Sequence, residues 1–344
     1  MADEKLTLDE IAEKAGVSRT TASRVINNRP HVRPELRQRV MRVVEATGYR
    51  LNPVARSLAM QRSEIMGLVI PRSTHAFFED PYFPILIQSI AKTCNYYDYT
   101  LALFLFESEA DEEQLYPRIS RQGLLDGIIL QVGEIKDSLT ARLMQEDFPV
   151  LVIGRPKDVP DVSYLDVDNV AGARKAVAHL FATGHQRVAT ITGALTTTAG
   201  IDRLAGYHQV LQERDCPSDP AFIVEGNFTR EGGYQVMQQL LPHQPDAVFI
   251  ASDTMALGAL DAISEAGLHV PEDIAIVGFD DLVPAFQATP PLTTIKQPIS
   301  QFGRKAVELL LDIIARGPYP PRHILMDTEL VVRESCGAHL APPG

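Results

Sequence analysis

The chain has no tryptophan, and only three cysteines, Cys94, Cys216 and Cys336, in 344 residues. Their odd number and wide separation suit neither a disulfide framework nor a metal knuckle, so reduced thiols in a cytoplasmic protein are expected. No apolar stretch approaches the ~20 residues that a membrane helix needs. The opening MADEKLTLDE is acidic and polar, unlike a secretory signal, and no membrane association is expected. The phosphate-loop pattern GxxxxGK, GxGxxG after a strand, HExxH and GxSxG are all missing. The nine histidines show no metal spacing. These absences argue against an enzyme, and neither cofactor nor metal is expected.

What is present is ordinary globular material, 45% hydrophobic and 22% charged, at a length that suits two or three domains. The charge is unevenly placed. Residues 1–64 carry a net +4, and the remainder carries a net −16 within a total of −12. A small head for a polyanion on an acidic body fits that asymmetry.

The head begins with Thr7-Leu8-Asp9-Glu10, a capping box. Leu8, Ile11, Ala12 and Ala15 then share one helical face. Gly16 suits the left-handed residue that ends a helix, and Ser18 can cap the next one. Two short helices at a tight turn are the pattern of a helix-turn-helix. In the second helix Ala22, Val25 and Ile26 face inward. Arg19, Thr20, Ser23 and Arg24 share the outer face, without an acid among them. Guanidinium groups donate twice to guanine in the major groove, and short hydroxyls reach phosphates or bases. A third helix starts at Arg33-Pro34-Glu35, buries Leu36, Val40, Val43 and Val44, and ends at Gly48. Arg37, Arg39 and Arg42 lie around its outside, touching either phosphate or solvent. The segment LNPVARSLAMQRS, residues 51–63, supplies one or two further turns that need a partner or a surface to form.

TLDEIAEKAGVSRTTASRVINN followed by HVRPELRQRVMRVVEATGYRLNPVARSLA resembles the DNA-binding head and hinge of the LacI/GalR family of bacterial transcription regulators. The resemblance implies that two hinge helices pair in the minor groove and wedge Leu58 between base steps, with Ala55 beside it. The candidate DNA-contacting set is Thr7, Ser18, Arg19, Thr20, Thr21, Ser23, Arg24, Asn27 and Arg33 in the head, and Asn52, Ala55 and Leu58 in the hinge. The partner implied is double-stranded, palindromic operator DNA, read by a homodimer.

From Ile65 onward short apolar runs (IMGLVIP, TLALFLF, DGIILQ, PVLVIG, YLDVD, RVATITG, AVFIAS, IAIVGFD) alternate with amphipathic stretches. That alternation predicts parallel sheets of βαβ units, in two halves divided near residues 160–165, with PPLTTIKQPI crossing back. The segments HLFATGHQRVATITG, DRLAGYHQVL, ASDTMALGAL, IAIVGFDD and PPLTTIKQP resemble the same family's sensor core. The fold class expected is therefore α/β: a two-lobed, periplasmic-binding-protein-like core of parallel sheets behind a small all-α helix-turn-helix domain. The expected domains are a head at 1–50, a hinge at 51–63, and a tail at 336–344. One lobe comprises 64–162 plus about 293–318, and the other 163–292 plus about 319–335.

Ligands of parallel sheets lie beyond the carboxyl ends of the strands. Gln131, Arg203, Asp253 and Asp280 fall near such ends. Asp253 reads as a helix cap ahead of a ligand contact. The resemblance implies that Arg203 and Asp280 clasp the effector; a structural ion pair is the alternative. Paired sugar hydroxyls suit a carboxylate acceptor and a guanidinium donor. Tyr82 and Phe83, in HAFFEDPYFP, suit a cleft wall, and Phe228 matches a position of sugar contact in the family. Ser252 and Gln297 complete the candidate ligand set of Tyr82, Phe83, Gln131, Arg203, Phe228, Ser252, Asp280 and Gln297. The expected effector is a small sugar of glucoside or maltodextrin type. A purine or other non-sugar metabolite is the alternative, and a sugar-processing enzyme with a DNA-binding head is the remote one. The function expected is that of a repressor of carbohydrate-utilisation genes. The helix near Pro81 is read either as part of a dimer interface or as core. The tail CGAHLAPPG has no Leu heptad, so a dimer is expected over a tetramer built that way.

Leu58→Ala is expected to weaken binding to a specific operator far more than to random DNA, measured by competition gel shift. An equal loss on both DNAs would remove the wedge assignment.

Overall fold

Thr7 accepts the amide of Glu10 at 3.3 Å, and the Glu10 carboxylate accepts the Thr7 amide at 2.6 Å, so the expected capping box opens α1 (Leu8–Ala15). Gly16 ends α1 at φ 60°, and Ser18 accepts the amide of Thr21 at 3.1 Å in the first turn of α2 (Arg19–Ile26). Pro34 opens α3 (Pro34–Thr47), which ends at Gly48 with φ 63°. Ile11, Ala15, Val25 and Val40 form a small core between the three helices. Arg39 is exposed, yet its guanidinium already has protein partners. Its guanidinium donates to the carbonyls of Ala15 (2.7 Å) and Gly16 (3.1 Å), where α1 leaves its last carbonyls unpaired. The computed structural model describes residues 6–26, 32–49, 62–71, 80–120, 124–131, 138–157 and 159–338. The chain divides into two units, residues 1–63 and 64–344.

The second unit holds two six-stranded sheets. The first uses β1 (Ile65–Ile70), β2 (Thr100–Leu105), β3 (Gly127–Gln131), β4 (Val150–Ile153), β5 (Tyr164–Val167) and, from late in the chain, β11 (His323–Met326). Its order is β11-β5-β4-β3-β1-β2, with every neighbouring pair parallel. The second sheet uses β6 (Val188–Thr192), β7 (Ile223–Glu225), β8 (Ala247–Ile250), β9 (Ala275–Asp280), β10 (Thr293–Lys296) and β12 (Glu329–Val331). Its order is β12-β10-β9-β8-β6-β7, parallel except where β12 pairs antiparallel with β10.

Parallel strands are covered on both faces, which is why β3, β4, β8 and β9 read as nearly unbroken apolar runs. In the first lobe α4 (Tyr82–Tyr96) and α12 (Ile299–Arg316) cover one face, meeting Met66, Leu68 and Ile70 with Leu86, Ile90, Phe302 and Leu310. The other face, with Val69, Ile128, Leu130 and Val152, packs on α5 (Glu109–Ile119) and α6 (Ser138–Gln145). In the second lobe α7 (Asn169–Ala182) and α8 (Thr198–Glu213) cover Val188, Phe249, Val277 and Phe279. Helices α9 (Arg230–Leu240) and α10 (Asp253–Glu265) cover Ile191, Val248, Ile250 and Ile276. A short α11 (Val283–Gln287) follows β9.

Strand pairing corrects the expected lobe boundaries. Residues 164–167 belong to the first sheet, because β5 pairs with β4 and β11, so the first crossing falls at Asp168 rather than near 162. Residues 293–296 belong to the second sheet beside β9. Residues 323–326 return to the first sheet. HILMDTELVV is thus two strands in different lobes, separated by Asp327-Thr328. Three crossings join the lobes, and the expected four-part division, 64–162 with 293–318 and 163–292 with 319–335, shifts by several residues at each. Periodicity shows that a strand exists, not which sheet recruits it. Among the described residues, no helix is long and apolar enough to cross a membrane.

A Cβ on Gly16 would lie 2.4 Å from Arg39 Nη2, at a backbone angle that L-residues avoid. Gly16→Ala is expected to destabilise the head by about 1–2 kcal/mol. Hydrogen exchange of α1 should accelerate while the melting of the two-lobed unit stays unchanged.

Candidate functional site

In the head, α2 presents Arg19, Thr20 and Arg24 to solvent and half-buries Thr21 and Ser23, while Ala22 and Val25 are buried beneath them. Arg19 lies 3.5 Å from Asp9 in an exposed pair, an association too weak to withhold it from a polyanion. The hydroxyls of Thr7 and Ser18 both serve as caps, so these residues mark where α1 and α2 begin and place their amide-rich ends on the surface. Arg33 precedes Pro34 as the exposed N-cap of α3. Asn27, Asn52, Ala55 and Leu58 lie outside the described residues.

The two-lobed unit contains a cavity at the carboxyl ends of its strands, as parallel sheets dictate. Its volume is about 110 Å³, smaller than the usual small-molecule site, and it opens to solvent. Tyr82, Phe83, Gln131, Arg203, Phe228, Ser252, Asp280 and Gln297 all line it. The lining also includes Asp80, Asp166, Asn169, Thr197, Thr198 and Phe302, which sequence reasoning did not select. Asp166 and Asn169 flank the first crossing, and YLDVDN held the signal: two polar residues at the end of a strand.

Arg203 dominates the floor. It lies inside α8, which starts at Thr198 under a Thr197 cap. Its side chain is 6% exposed, so its charge depends on internal partners. Nε donates to Asn169 Oδ1 at 2.9 Å, and Nη1 donates to the Ala251 carbonyl. The guanidinium carbon lies 3.6 Å over the Phe279 ring and 6.0 Å from that of Phe228. Nη1 is 3.7 Å from Asp280 Oδ1, within Coulomb reach but too far for a hydrogen bond. That oxygen instead accepts from Gln297 Nε2 at 2.5 Å. The pair is therefore ajar, with room for a ligand hydroxyl to accept from one side and donate to the other.

Asp280 ends β9 at φ 121°, followed by Asp281 at φ 60°. Such angles cost energy for non-glycine residues and persist where the surroundings over-determine them. Here Arg333 holds Asp281 at 2.5 Å, and Asp253 accepts the Leu282 amide at 2.9 Å. Asp253 itself is not the cap of α10. Ser252 is, accepting the Met255 amide at 3.2 Å. The Asp253 carboxylate is fully buried and takes a second bond from Thr294 at 2.6 Å, which pins β10 to the loop after β9.

Burial raises the pKa of Asp280, against the nearby Arg203 charge, and burial followed by the neighbouring Asp280 raises that of Asp253. Asp166 is pushed up to about 6 by burial, against two backbone amides that favour its ionised form. Burial lowers the pKa of Arg203, opposed chiefly by Asp280 and Asp166. The cleft therefore holds one guanidinium among carboxyls that give up their protons reluctantly.

The aromatic residues divide. Phe83 is 3% exposed and packs in the first lobe's core, edge to face with Tyr82 at 5.4 Å. Tyr82 and Phe228 are half-buried walls. Among the described residues, no group of three or more His, Cys, Asp or Glu side chains could hold a metal.

A three-helix reader and a two-lobed α/β receptor with a polar central cleft define a ligand-responsive, DNA-binding regulator. The profile of bacterial regulatory proteins of the lacI family matches residues 7–52, and that of the periplasmic binding protein-like domain matches residues 177–336. The chain is 36% identical over 333 residues to the HTH-type transcriptional regulator CelR of Thermobifida fusca, covering 96% of this chain and 98% of that one. It is 34% identical over 333 residues to the HTH-type transcriptional repressor PurR of Escherichia coli, covering 96% of each. A solved complex of a transcriptional regulator CelR with cellobiose aligns with TM-score 0.77 at 35% identity, over 96% of this chain and 99% of that one. A lac repressor dimer bound to operator and the anti-inducer ONPF aligns with TM-score 0.82 at 29% identity, over 97% and 99%. The chain belongs to the lacI family of bacterial regulatory proteins and is a transcriptional regulator.

Removing Arg203 leaves Asp280 as an uncompensated buried charge, so Arg203→Ala is expected to cost about 3–5 kcal/mol at pH 8. The folded-state pKa of Asp280 is already raised by burial and rises further without the cation. Lowering the pH to 5 protonates it in the folded state, so the loss shrinks there. Denaturant unfolding at both pH values checks this; a loss independent of pH would contradict it.

Proposed function

We propose that this regulator is a repressor that reads a palindromic operator as a homodimer, and that a small neutral saccharide in its cleft changes its operator affinity. The observation that carries the effector reading is the open clasp of Arg203, Asp280 and Gln297 in a cleft also lined by the half-buried rings of Tyr82 and Phe228. A sugar offers what that arrangement lacks: hydroxyls that donate and accept at once, and an apolar ring face. A purine edge also carries donors and acceptors that Arg203, Asp280 and Gln297 can pair with, so the two classes are separated by binding, not by the clasp alone. The likeness to a regulator bound to cellobiose supports a glucoside effector, which makes genes of carbohydrate utilisation the natural targets. The comparable likeness to a repressor named for purines keeps that class as the competing reading. The mechanism is linkage: a ligand that favours one arrangement of the lobes by about 1–3 kcal/mol changes operator affinity about 5- to 150-fold. The chain acts without turnover of its ligand, in the cytoplasm, and its head contacts DNA through Arg19, Thr20, Ser23 and Arg24, with Leu58 of the hinge as the minor-groove wedge.

A thermal-shift screen of glucose, cellobiose, maltose and longer glucosides against the full chain, with hypoxanthine and guanine included, tests the effector class. Cellobiose or a related glucoside is expected to raise the melting temperature and change operator binding while being recovered unaltered. A shift with the purines alone would replace the sugar reading, and consumption of the sugar would replace the regulator by an enzyme. Asp280→Asn is expected to abolish the ligand response while operator binding without ligand stays at the parent level. A normal response would move the effector away from this clasp.

A further inference from the structure

We propose that Arg155 is a positioning residue: its ion pair with Asp202 ties the two lobes at the rim of the cleft and sets Arg203 for the effector. Arg155 belongs to the first lobe, two residues beyond the end of β4, and its amide donates to Asp166 Oδ2 at 3.0 Å. Asp202 belongs to the second lobe, in α8, immediately before Arg203. Arg155 Nη2 sits between both carboxylate oxygens of Asp202, at 2.6 and 2.7 Å. The Asp202 side chain is 15% exposed and that of Arg155 is 43%.

The pair closes a circuit. From the Arg155 amide the bonds run to Asp166, from Asp166 Oδ1 to Asn169 Nδ2 at 3.2 Å, and from Asn169 Oδ1 to Arg203 Nε at 2.9 Å. The peptide bond between Arg203 and Asp202 leads back to Arg155. Two arms, one through the first crossing and one through the ion pair, thus hold α8 at the residue that reaches into the cleft. Parting the lobes at this edge breaks the pair or drags Arg203 from its place. A ligand gripped by Arg203 and the first lobe favours the intact circuit, so the ion pair and the effector support each other's binding.

The effector arm of the test rests on the function proposed above, and the ligand-free arm does not. Full-length Arg155→Ala, Asp202→Ala and the exchanged double variant Arg155→Asp/Asp202→Arg are compared with the parent. Without ligand, hydrogen exchange at residues 198–205 should accelerate in both single variants and slow again in the exchanged one. Cellobiose titrated by calorimetry should bind about three- to tenfold more weakly to the single variants. The parent's affinity should fall with added salt more steeply than theirs, since only the parent has the pair to screen. Unchanged exchange in the single variants overturns the proposal, as does an exchanged variant no better than they are. If the parent takes no cellobiose, the sugar assignment fails, and the exchange result alone decides for or against the tie.

Discussion

A guanidinium taken out of water is the constraint on which the sensor unit is built. Arg203 loses its hydration in the cleft floor and regains it in pieces, from Asn169 at the start of α7, from the carbonyl of Ala251 after β8, and from the field of Asp280 at the end of β9. Phe279 supplies a ring face beneath it. Each partner comes from a different element, so the charge is tolerated only where all these ends converge. A buried ion is weak evidence of added stability, because desolvation offsets most of the attraction. Its return here is placement: the cation stands where two lobes meet, beside a carboxylate it does not quite reach.

That incomplete contact has its own support. The backbone at Asp280 and Asp281 would relax if free. It is held by Arg333 on one side, by the Leu282 amide on Asp253, and by Gln297 on the Asp280 carboxylate itself. Leu282 has its amide in the second lobe's polar network and its side chain in the first lobe's apolar core, with Phe83 and Phe302. The segment after β9 therefore feels both lobes. Asp253 holds it there, and a buried carboxyl whose proton is easily retained is acceptable in that role because it accepts from neutral donors.

The helices of the head were legible because local chemistry decides them. Thr7, Glu10, Gly16, Ser18, Pro34 and Gly48 act on neighbours within one turn, and the structure uses each where the sequence put it. The two lobes were legible as alternating runs, since strands buried on both faces show themselves as unbroken apolar stretches. Their membership was not, because the same apolar pattern serves either sheet: residues 164–167 and 323–326 pair with each other across the chain, while residues 293–296 pair with 277–280. The cleft followed the same division. Gln131, Arg203 and Asp280 were found by asking what stands at strand ends, and Phe228 by likeness to the family. Asp166 and Asn169 escaped, since their place depends on how the crossing at Asp168 folds back. Arg39 escaped for the opposite reason: an exposed basic face suggests phosphate, and only the packing of α3 against α1 shows its occupation with carbonyls.

Charge separation along the chain carries the argument from architecture to use. The net +4 of residues 1–64 and the net −16 of the rest give the polyanion one attractive end and one repelling one. Non-specific affinity, which depends on neutralised phosphates, is thereby confined to the small reader. An acidic receptor is repelled by random DNA, so specificity falls to the base contacts of the reader and to whatever holds two readers at a fixed spacing. A ligand acting on the receptor then needs only to change that spacing. Such a change costs nothing in direct phosphate contacts, and a coupling of about 1–3 kcal/mol can therefore govern the specific complex while leaving the weak encounter with random DNA nearly untouched.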